Sequence, residues 1–451
     1  MSVVKQETYT IPITKLVYQG WGFGEVDGFA VFVPNSIPGD VVDAQIILKK
    51  RNYAEGKIVT IRTPSSMRIE SPCTHYPTCG GCQLINVDYP TQLQFKQGII
   101  SDCYFKEFGT TDFPIQPILG SASNTFYRNK MEFSFGQNDQ GLYLGLKARG
   151  SFKDVVPITR CLLESETAND ILKFTAAYFN TSSLSAWDYH AYSGDLRHLM
   201  IRHAKTTDTY MINLIASKNH GPLFETFAQQ LHNHFPKIVS IYLTINATSG
   251  DRTYGDPPFL LSGQPTIEEK FGALTYQISP LSFFQTNSEQ AQILYQTLVN
   301  MADVSADDTV LDLYCGTGTI GMYFAPHVKA VIGIEANVSA VENAKENAIQ
   351  NNCHNMTFIA DSVRRALKFN TFEPSVVIVD PPRCGMSPKE LMRTFQMKSP
   401  KLLYVSCNPT TLFRDLKYLT DNGYRLDFLQ PVDMFPNTYH VEIIAKLTRI
   451  S

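Results

Sequence analysis

Short apolar runs recur through the C-terminal part of the chain: TVLDLY, AVIGIE, MTFIAD, SVVIVD and LLYVSC all follow Ala306. Helical stretches separate them. Short apolar strands alternating with helices predict a parallel sheet covered on both faces. The N-terminal pattern is different. There YQGWGFGEVDGFAVFVPN (Tyr18–Asn35) alternates glycine with aromatics, and DVVDAQIILKKRNYAEGKIVTI (Asp40–Ile61) adds two more strands. Strands punctuated by glycine turns predict a small β-barrel of the oligonucleotide-binding kind. A mixed α/β region without repeats or low-complexity linkers lies between the two. The expected division is a barrel over 1–62, a cysteine segment over 63–98, a central α/β domain over 99–286 and a nucleotide-fold domain over 287–451.

One apolar run ends abruptly. In YVSCNPTT (Tyr404–Thr411), Pro409 lacks a backbone N–H and drives Asn408 from helical geometry, so the strand must stop there. Cys407 is therefore expected at the mouth of a strand, where α/β proteins hold their ligands. The competing reading is a small buried hydrophobe, the usual fate of a free cysteine.

The totals narrow the class. A chain of 451 residues, 43% hydrophobic and 18% charged, describes a folded globule of several domains. Its net charge of −3 shows no basic excess, although a local patch suffices to bind RNA. The opening MSVVKQETYT has no apolar signal core, and no run reaches the ~18 residues that span a bilayer, so a cytoplasmic protein without membrane association is expected. No feature demands an obligate protein partner. Nine cysteines argue against a disulfide framework and for ligands, catalysis or packing.

DLYCGTGTIG (Asp312–Gly321) places Gly316, Gly318 and Gly321 as G-x-G-x-x-G between a strand and a helix, with Glu335 nineteen positions after Gly316. A carboxylate there can bind a ribose diol. A dinucleotide or S-adenosylmethionine would fit this loop. Asp361, ending another strand, suits an adenine amino group. Asp380, followed by two prolines in DPPRCG, makes a rigid rim that a dehydrogenase does not need and a methyl acceptor does. Arg383 stands where amino-group methyltransferases place a stacking aromatic, which argues against an exocyclic amine.

A carbon acceptor needs activation. C5 of uracil becomes nucleophilic once a thiolate adds to C6, and a base must then remove the C5 proton so that the thiol can leave. Cys407 fits the first role. Glu442, flanked by Val441, Ile443 and Ile444, fits the second because apolar neighbours raise a carboxyl pKa. A water-facing charge on an edge strand is the plain alternative for Glu442. Cys73, Cys79 and Cys82 form C-x5-C-G-G-C, and Cys161 can supply a fourth thiolate; spacing allows either structural zinc or a 4Fe–4S cluster. Cys103, Cys315, Cys353 and Cys384 read as packing or loop residues. Trp21, Phe23, Lys49, Lys50 and Arg51 on the barrel are RNA-contact candidates, unless the aromatics fill the barrel and the basic run is a solvated turn. Tyr127, Arg128, Lys130, Arg197 and Arg202 in the central region are further candidates, with salt bridges and strand edges as the alternative.

SFFQTN (Ser282–Asn287), DLYCGTG, DPPRCG, LLYVSCNPTT and DMFPNTYHVE together resemble the bacterial RNA uracil-5-methyltransferases, in the ribosomal branch with an N-terminal TRAM domain and an iron–sulfur cluster. The resemblance covers nearly the whole chain. It implies a C-terminal class I, Rossmann-like methyltransferase domain that uses S-adenosylmethionine. Cys407 would be the nucleophile, Glu442 the base, and Gln285, Tyr314, Glu335 and Asp380 the contacts to cofactor and reaction centre. It also favours a 4Fe–4S cluster on Cys73, Cys79, Cys82 and Cys161, and large-subunit (23S) ribosomal RNA as substrate. Asn437 departs from the Gln or His more usual in the family. The rival readings are an amino-group methyltransferase, a non-catalytic RNA-binding iron–sulfur protein and a nicotinamide dehydrogenase.

Overall fold

The strand Trp21–Val26 shows how the first sheet is built. Gly22 and Gly24 face inward, where a Cβ would strike Ser36 and Ile11, so Trp21 and Phe23 point outward. The computed structural model describes residues 3–113, 115–251 and 253–450. Six strands between Thr8 and Thr63 form one sheet around Ile11, Val31, Val33, Val42, Ala44 and Ile46. The barrel is thus filled by aliphatic residues. Phe23, Phe32 and Tyr53 lie outside this core, with neighbouring ring centroids 5.6 and 5.5 Å apart.

The central sheet has seven strands, in the order Phe259–Gly263, Ile238–Ile245, Thr209–Ala216, Leu196–Ala204, Lys130–Asn138, Gly141–Lys147 and Val155–Pro157. Helices Glu166–Phe179 and Pro222–His234 pack into its apolar core. Leu196–Ala204 lies in the middle of the sheet and is buried at every position. Arg197 and Arg202 are therefore not available to phosphates, contrary to the expectation from their charge. Arg197 lies 4.3 Å from the Trp187 ring centroid and donates to the Asn246 carbonyl at 2.8 Å. Arg202 donates to the Ser282 carbonyl at 2.8 Å. Tyr127 is likewise buried, its hydroxyl donating to the Pro436 carbonyl at 3.0 Å.

The third sheet carries the glycine loop. Its order is Met356–Ala360, Ala330–Glu335, Thr309–Leu313, Val376–Val379, Lys401–Ser406, Glu442–Arg449 and Tyr424–Val432. The first five strands are parallel, and Glu442–Arg449 runs antiparallel to both its neighbours, as strand–helix alternation ending in a hairpin requires. Helix Tyr89–Phe108, capped by the Asp88 side chain, sends Ile100 and Tyr104 into this sheet's core beside Leu412 and Phe413. The expected limit between 98 and 99 falls inside that helix, because the helix is continuous and packs on the C-terminal layer.

Lys96 on this helix forms a fully buried ion pair with Asp433 at 2.6 Å and also donates to the Phe435 carbonyl at 3.0 Å. Asp433 accepts in addition from the Tyr89 hydroxyl at 2.9 Å. The helix thereby fixes the segment that leads to Glu442. Among the described residues, no helix is long and apolar enough to cross a membrane.

Candidate active site

The strand Lys401–Ser406 presents Cys407 at its carboxyl end. Asn408 caps the following helix, accepting from the Thr410 amide at 3.0 Å, and Pro409 opens its first turn. Proline's fixed φ suits that position, so the turn is sharp and leaves the thiol at the sheet's edge. Asn408 Nδ2 and Thr411 Oγ1 both donate to the Arg383 carbonyl, at 2.9 and 3.2 Å, which joins the Pro-Pro loop to the thiol turn.

Glu442 begins the last strand, antiparallel to Lys401–Ser406. Ser406 is the last residue to pair, opposite Ile443, and Cys407 and Glu442 are the next residues on the two chain segments, at the same end of the sheet. Glu442 is only 5% exposed. Burial, reinforced by Asp380, pushes its carboxyl up to about 8, while Arg383 opposes the shift. Burial and then Glu442 push the Cys407 thiol up to about 11, again against Arg383. At neutral pH both groups hold their protons, and the Arg383 cation acts on both.

The glycine loop stands beside this pair. Tyr314, Gly316 and Gly318 have φ of 63°, 54° and 78°. Tyr314 is the only non-glycine of the three, a conformation that costs energy and is concentrated at functional sites. Its phenol is held by Glu390. Glu335 accepts from the amides of Gly316 at 3.1 Å and Asn337 at 2.7 Å, with lone pairs left on each oxygen. Asp312 lies beneath the loop. One of its oxygens takes the Gly321 amide at 3.1 Å and the other is buried without a partner. Burial, then Asp380, pushes Asp312 up to about 8, and burial pushes Asp380 up to about 7.

Gln285 is buried, and its carbonyl accepts from Asn129 at 2.8 Å. Asn287 caps the next helix and donates to the Met434 carbonyl at 3.2 Å, tying this segment to the one that carries Glu442. Asp361 pairs with Arg365 at 3.1 Å. Asn437 has φ of 67°, a left-handed conformation asparagine tolerates. Its amide donates to Gln92 Oε1 at 2.8 Å and its Nδ2 to the Asn124 carbonyl at 2.6 Å, so the departure from the usual residue is accommodated by local partners.

Several neighbours of the thiol were not singled out from sequence for this role. Arg383 was read only as a missing aromatic, and Asp312 as part of a strand, although a carboxylate inside TVLDLY is itself a signal. Tyr18 arrives from the barrel and meets Tyr439 edge-on at 5.7 Å. Gly20 permits that approach, since a Cβ there would lie 3.1 Å from Tyr439. Burial above all, with Tyr439 and Cys407 adding to it, pushes Tyr18 up to about 12. His440, stacked near Tyr439 at 4.1 Å, is pushed down to about 3 by burial and then by Arg383, and so stays neutral.

Cys73, Cys79, Cys82 and Cys161 line one small, largely apolar pocket. The Gly81 amide donates to Cys79 Sγ at 3.4 Å. Burial followed by neighbouring thiols pushes Cys82 far up, and burial pushes Cys161 up to about 12. Among the described residues, no three His, Cys, Asp or Glu side chains are spaced to hold a single metal ion. Cys315 and Cys353 are buried in packing, Cys103 is half-buried and Cys384 exposed.

Comparison with known proteins accords with this arrangement. The family model for tRNA (Uracil-5-)-methyltransferase matches residues 88–450, and that for the TRAM domain matches residues 4–59. An uncharacterized RNA methyltransferase of Clostridium tetani is 38% identical over 453 residues, covering 100% of this chain and 99% of that protein. Another, from Oceanobacillus iheyensis, is 35% identical and covers 99% of this chain and 97% of that protein. Among solved structures, the Pyrococcus abyssi tRNA (uracil-54, C5)-methyltransferase in complex with S-adenosyl-L-homocysteine aligns with a TM-score of 0.76 at 28% identity, over 97% of this chain and 100% of that one. The chain belongs to the tRNA (uracil-5-)-methyltransferase family and carries a TRAM domain at its N-terminal end.

Proposed function

We propose that this protein methylates C5 of a uridine in RNA, with Cys407 as nucleophile, Glu442 as proton acceptor and S-adenosylmethionine as methyl donor. The observation that carries this reading is the strand pairing that brings Cys407 and a buried carboxyl to one end of the sheet, with Arg383 acting on both. Arg383 lowers the cost of ionising the thiol, whose proton passes to solvent as the thiolate forms. The sulfur adds to C6 of uracil, and the electron pair displaced to C5 and the ring carbonyl makes C5 the nucleophile. S-adenosylmethionine supplies an electrophilic methyl group on a sulfonium. Glu442 then takes the C5 proton, the C5–C6 double bond re-forms and the Cys407 thiolate leaves.

Gln285, Tyr314, Glu335 and Asp380 would hold the donor, with Asp361 toward its base. Asp312, Glu335 and Asp380 gather around the glycine loop, where a sulfonium cation would favour their ionised forms and a dinucleotide pyrophosphate would oppose them. Since the carboxylate form of Glu442 does the work, decay of the covalent adduct is expected to speed up with pH and to level off above about 8. Quenched-flow measurement of adduct decay checks this; a profile flat across that range would exclude Glu442.

For Cys73, Cys79, Cys82 and Cys161 the proposed occupant is a 4Fe–4S cluster. Four soft thiols around one small, largely apolar pocket suit such a cluster. The cluster would brace the segment, and no step of the reaction passes through it. Protein purified without oxygen is expected to be brown, with broad absorbance lost in Cys79→Ser. Colourless protein with stoichiometric zinc would overturn this.

For the RNA, the resemblance to the ribosomal branch favours 23S ribosomal RNA. The Pyrococcus protein, a tRNA (uracil-54, C5)-methyltransferase aligned over its whole length, favours transfer RNA as a second reading. Labelled methyl transfer to each RNA, isolated from cells lacking the enzyme, decides between them.

A further inference from the structure

A groove of about 710 Å³ lies in the central sheet, away from the residues of the reaction centre. That is within the ~300–1,000 Å³ of ligand clefts. One lip is the Ser282–Thr286 segment that contains Gln285; the other is the tip joining strands Gly141–Lys147 and Val155–Pro157. Arg128, Lys130, Lys147 and Arg149 line it, and Arg202 is buried next to Lys130 with Nε and Nη1 unpartnered. Lys130 pairs with Glu132 at 2.7 Å and Lys147 with Asp251 at 3.4 Å. Among the described residues, the three arginines form no ion pair. Burial and then Arg202 lower the pKa of Lys130, the mark of like charges crowded together. In a protein of net charge −3 this is a local excess of cations.

Phe152 stands on the tip, 83% exposed, and Phe283 on the opposite lip, 67% exposed. The tip is held in place. Ser151 Oγ donates to Asp154 at 2.7 Å, the Ala148 amide to the Asp154 carbonyl at 2.9 Å and the Arg149 amide to the Thr78 carbonyl at 2.9 Å. Arg128 in the groove wall pairs in a β-bridge with Asn287, whose side chain donates to the Met434 carbonyl on the segment that leads to Glu442.

We propose that this groove binds the single-stranded RNA flanking the target uridine, with phosphates on the basic wall and one flanking base stacked on Phe152. The inference takes RNA as the partner from the function proposed above. Charge complementarity with aromatic platforms is the pattern of sequence-tolerant single-strand binding.

The test measures anisotropy of a short fluorescein-labelled oligouridine with the full-length protein. Phe152→Ala is expected to raise Kd by about 5- to 150-fold, the equivalent of one lost base stack. Phe152→Trp restores binding, and its added indole emission is quenched by the RNA. Arg128→Gln with Lys130→Gln flattens the salt dependence by about 0.7 in slope per lost phosphate contact. An unchanged Kd in Phe152→Ala overturns the proposal. So does poly-glutamate displacing the RNA equally well from wild type and Phe152→Ala, which marks an anionic-protein surface instead. Methyl transfer to uridine with unchanged binding in Phe152→Ala defeats the groove alone. Phe152-dependent binding without methyl transfer defeats the enzymatic reading and leaves the groove.

Discussion

Glu442→Gln is expected to leave the protein covalently bonded to methylated RNA. The substitution keeps shape and burial, and since burial already holds the carboxyl protonated near neutral pH, the fold loses no charge interaction by it. What disappears is the acceptor for the C5 proton. Addition through Cys407 and methyl transfer do not need that acceptor, whereas elimination does. Loss of a general base slows its step by about 10²–10⁴-fold, so the adduct should accumulate. Labelled RNA migrating with the protein on a denaturing gel is the readout, and it should vanish in the double variant with Cys407→Ala. Normal turnover by Glu442→Gln would show that another group removes the proton. Methyl transfer persisting in Cys407→Ala would return the amino-group reading, because nitrogen needs no covalent activation.

Lys96→Met is expected to be the most destabilising single change outside the reaction centre. It leaves the Asp433 carboxylate fully buried without its cation, a loss of about 3–5 kcal/mol. With an unfolding entropy of about 2.1 cal/mol/K per residue, the unfolding midpoint should fall by about 3–5 °C. Activity should fall with it even below the midpoint, since Lys96 and Asp433 fix the segment leading to Glu442. Adding Asp433→Leu should recover part of the stability, not all, because the Tyr89 hydroxyl then loses its acceptor. A midpoint within 2 °C of wild type would mean that the pair contributes little.

The two halves of the proposed chemistry differ in how far local pattern reveals them. Cys407 is legible because Asn408 and Pro409 act on the backbone next to it: one caps a helix and the other fixes φ. Its partnership with Glu442 is not legible locally. It depends on the register of an antiparallel return strand, set by the buried contacts of Asp433 and Asn437. Arg197 and Arg202 show the opposite failure. In LRHLMIRHA charges at spaced positions suggest an exposed face, yet this strand is central and covered on both sides, so the guanidinium groups find carbonyl and ring partners inside. Arg383 was visible but misweighed, since nothing near it in sequence says that the loop folds over a thiol. The outward turn of Phe23 follows from Gly22 and Gly24 only once the barrel's inner face is known.

The contact between Tyr18 and Tyr439 ties the N-terminal module to the segment that leads to Glu442, so it is not an appendage. Cutting the chain back to its catalytic sheet would strip Leu16 and Tyr18 from their shared apolar cluster and leave the Tyr439 ring bare to water. The modules of this protein can be told apart by eye, but they are not interchangeable parts.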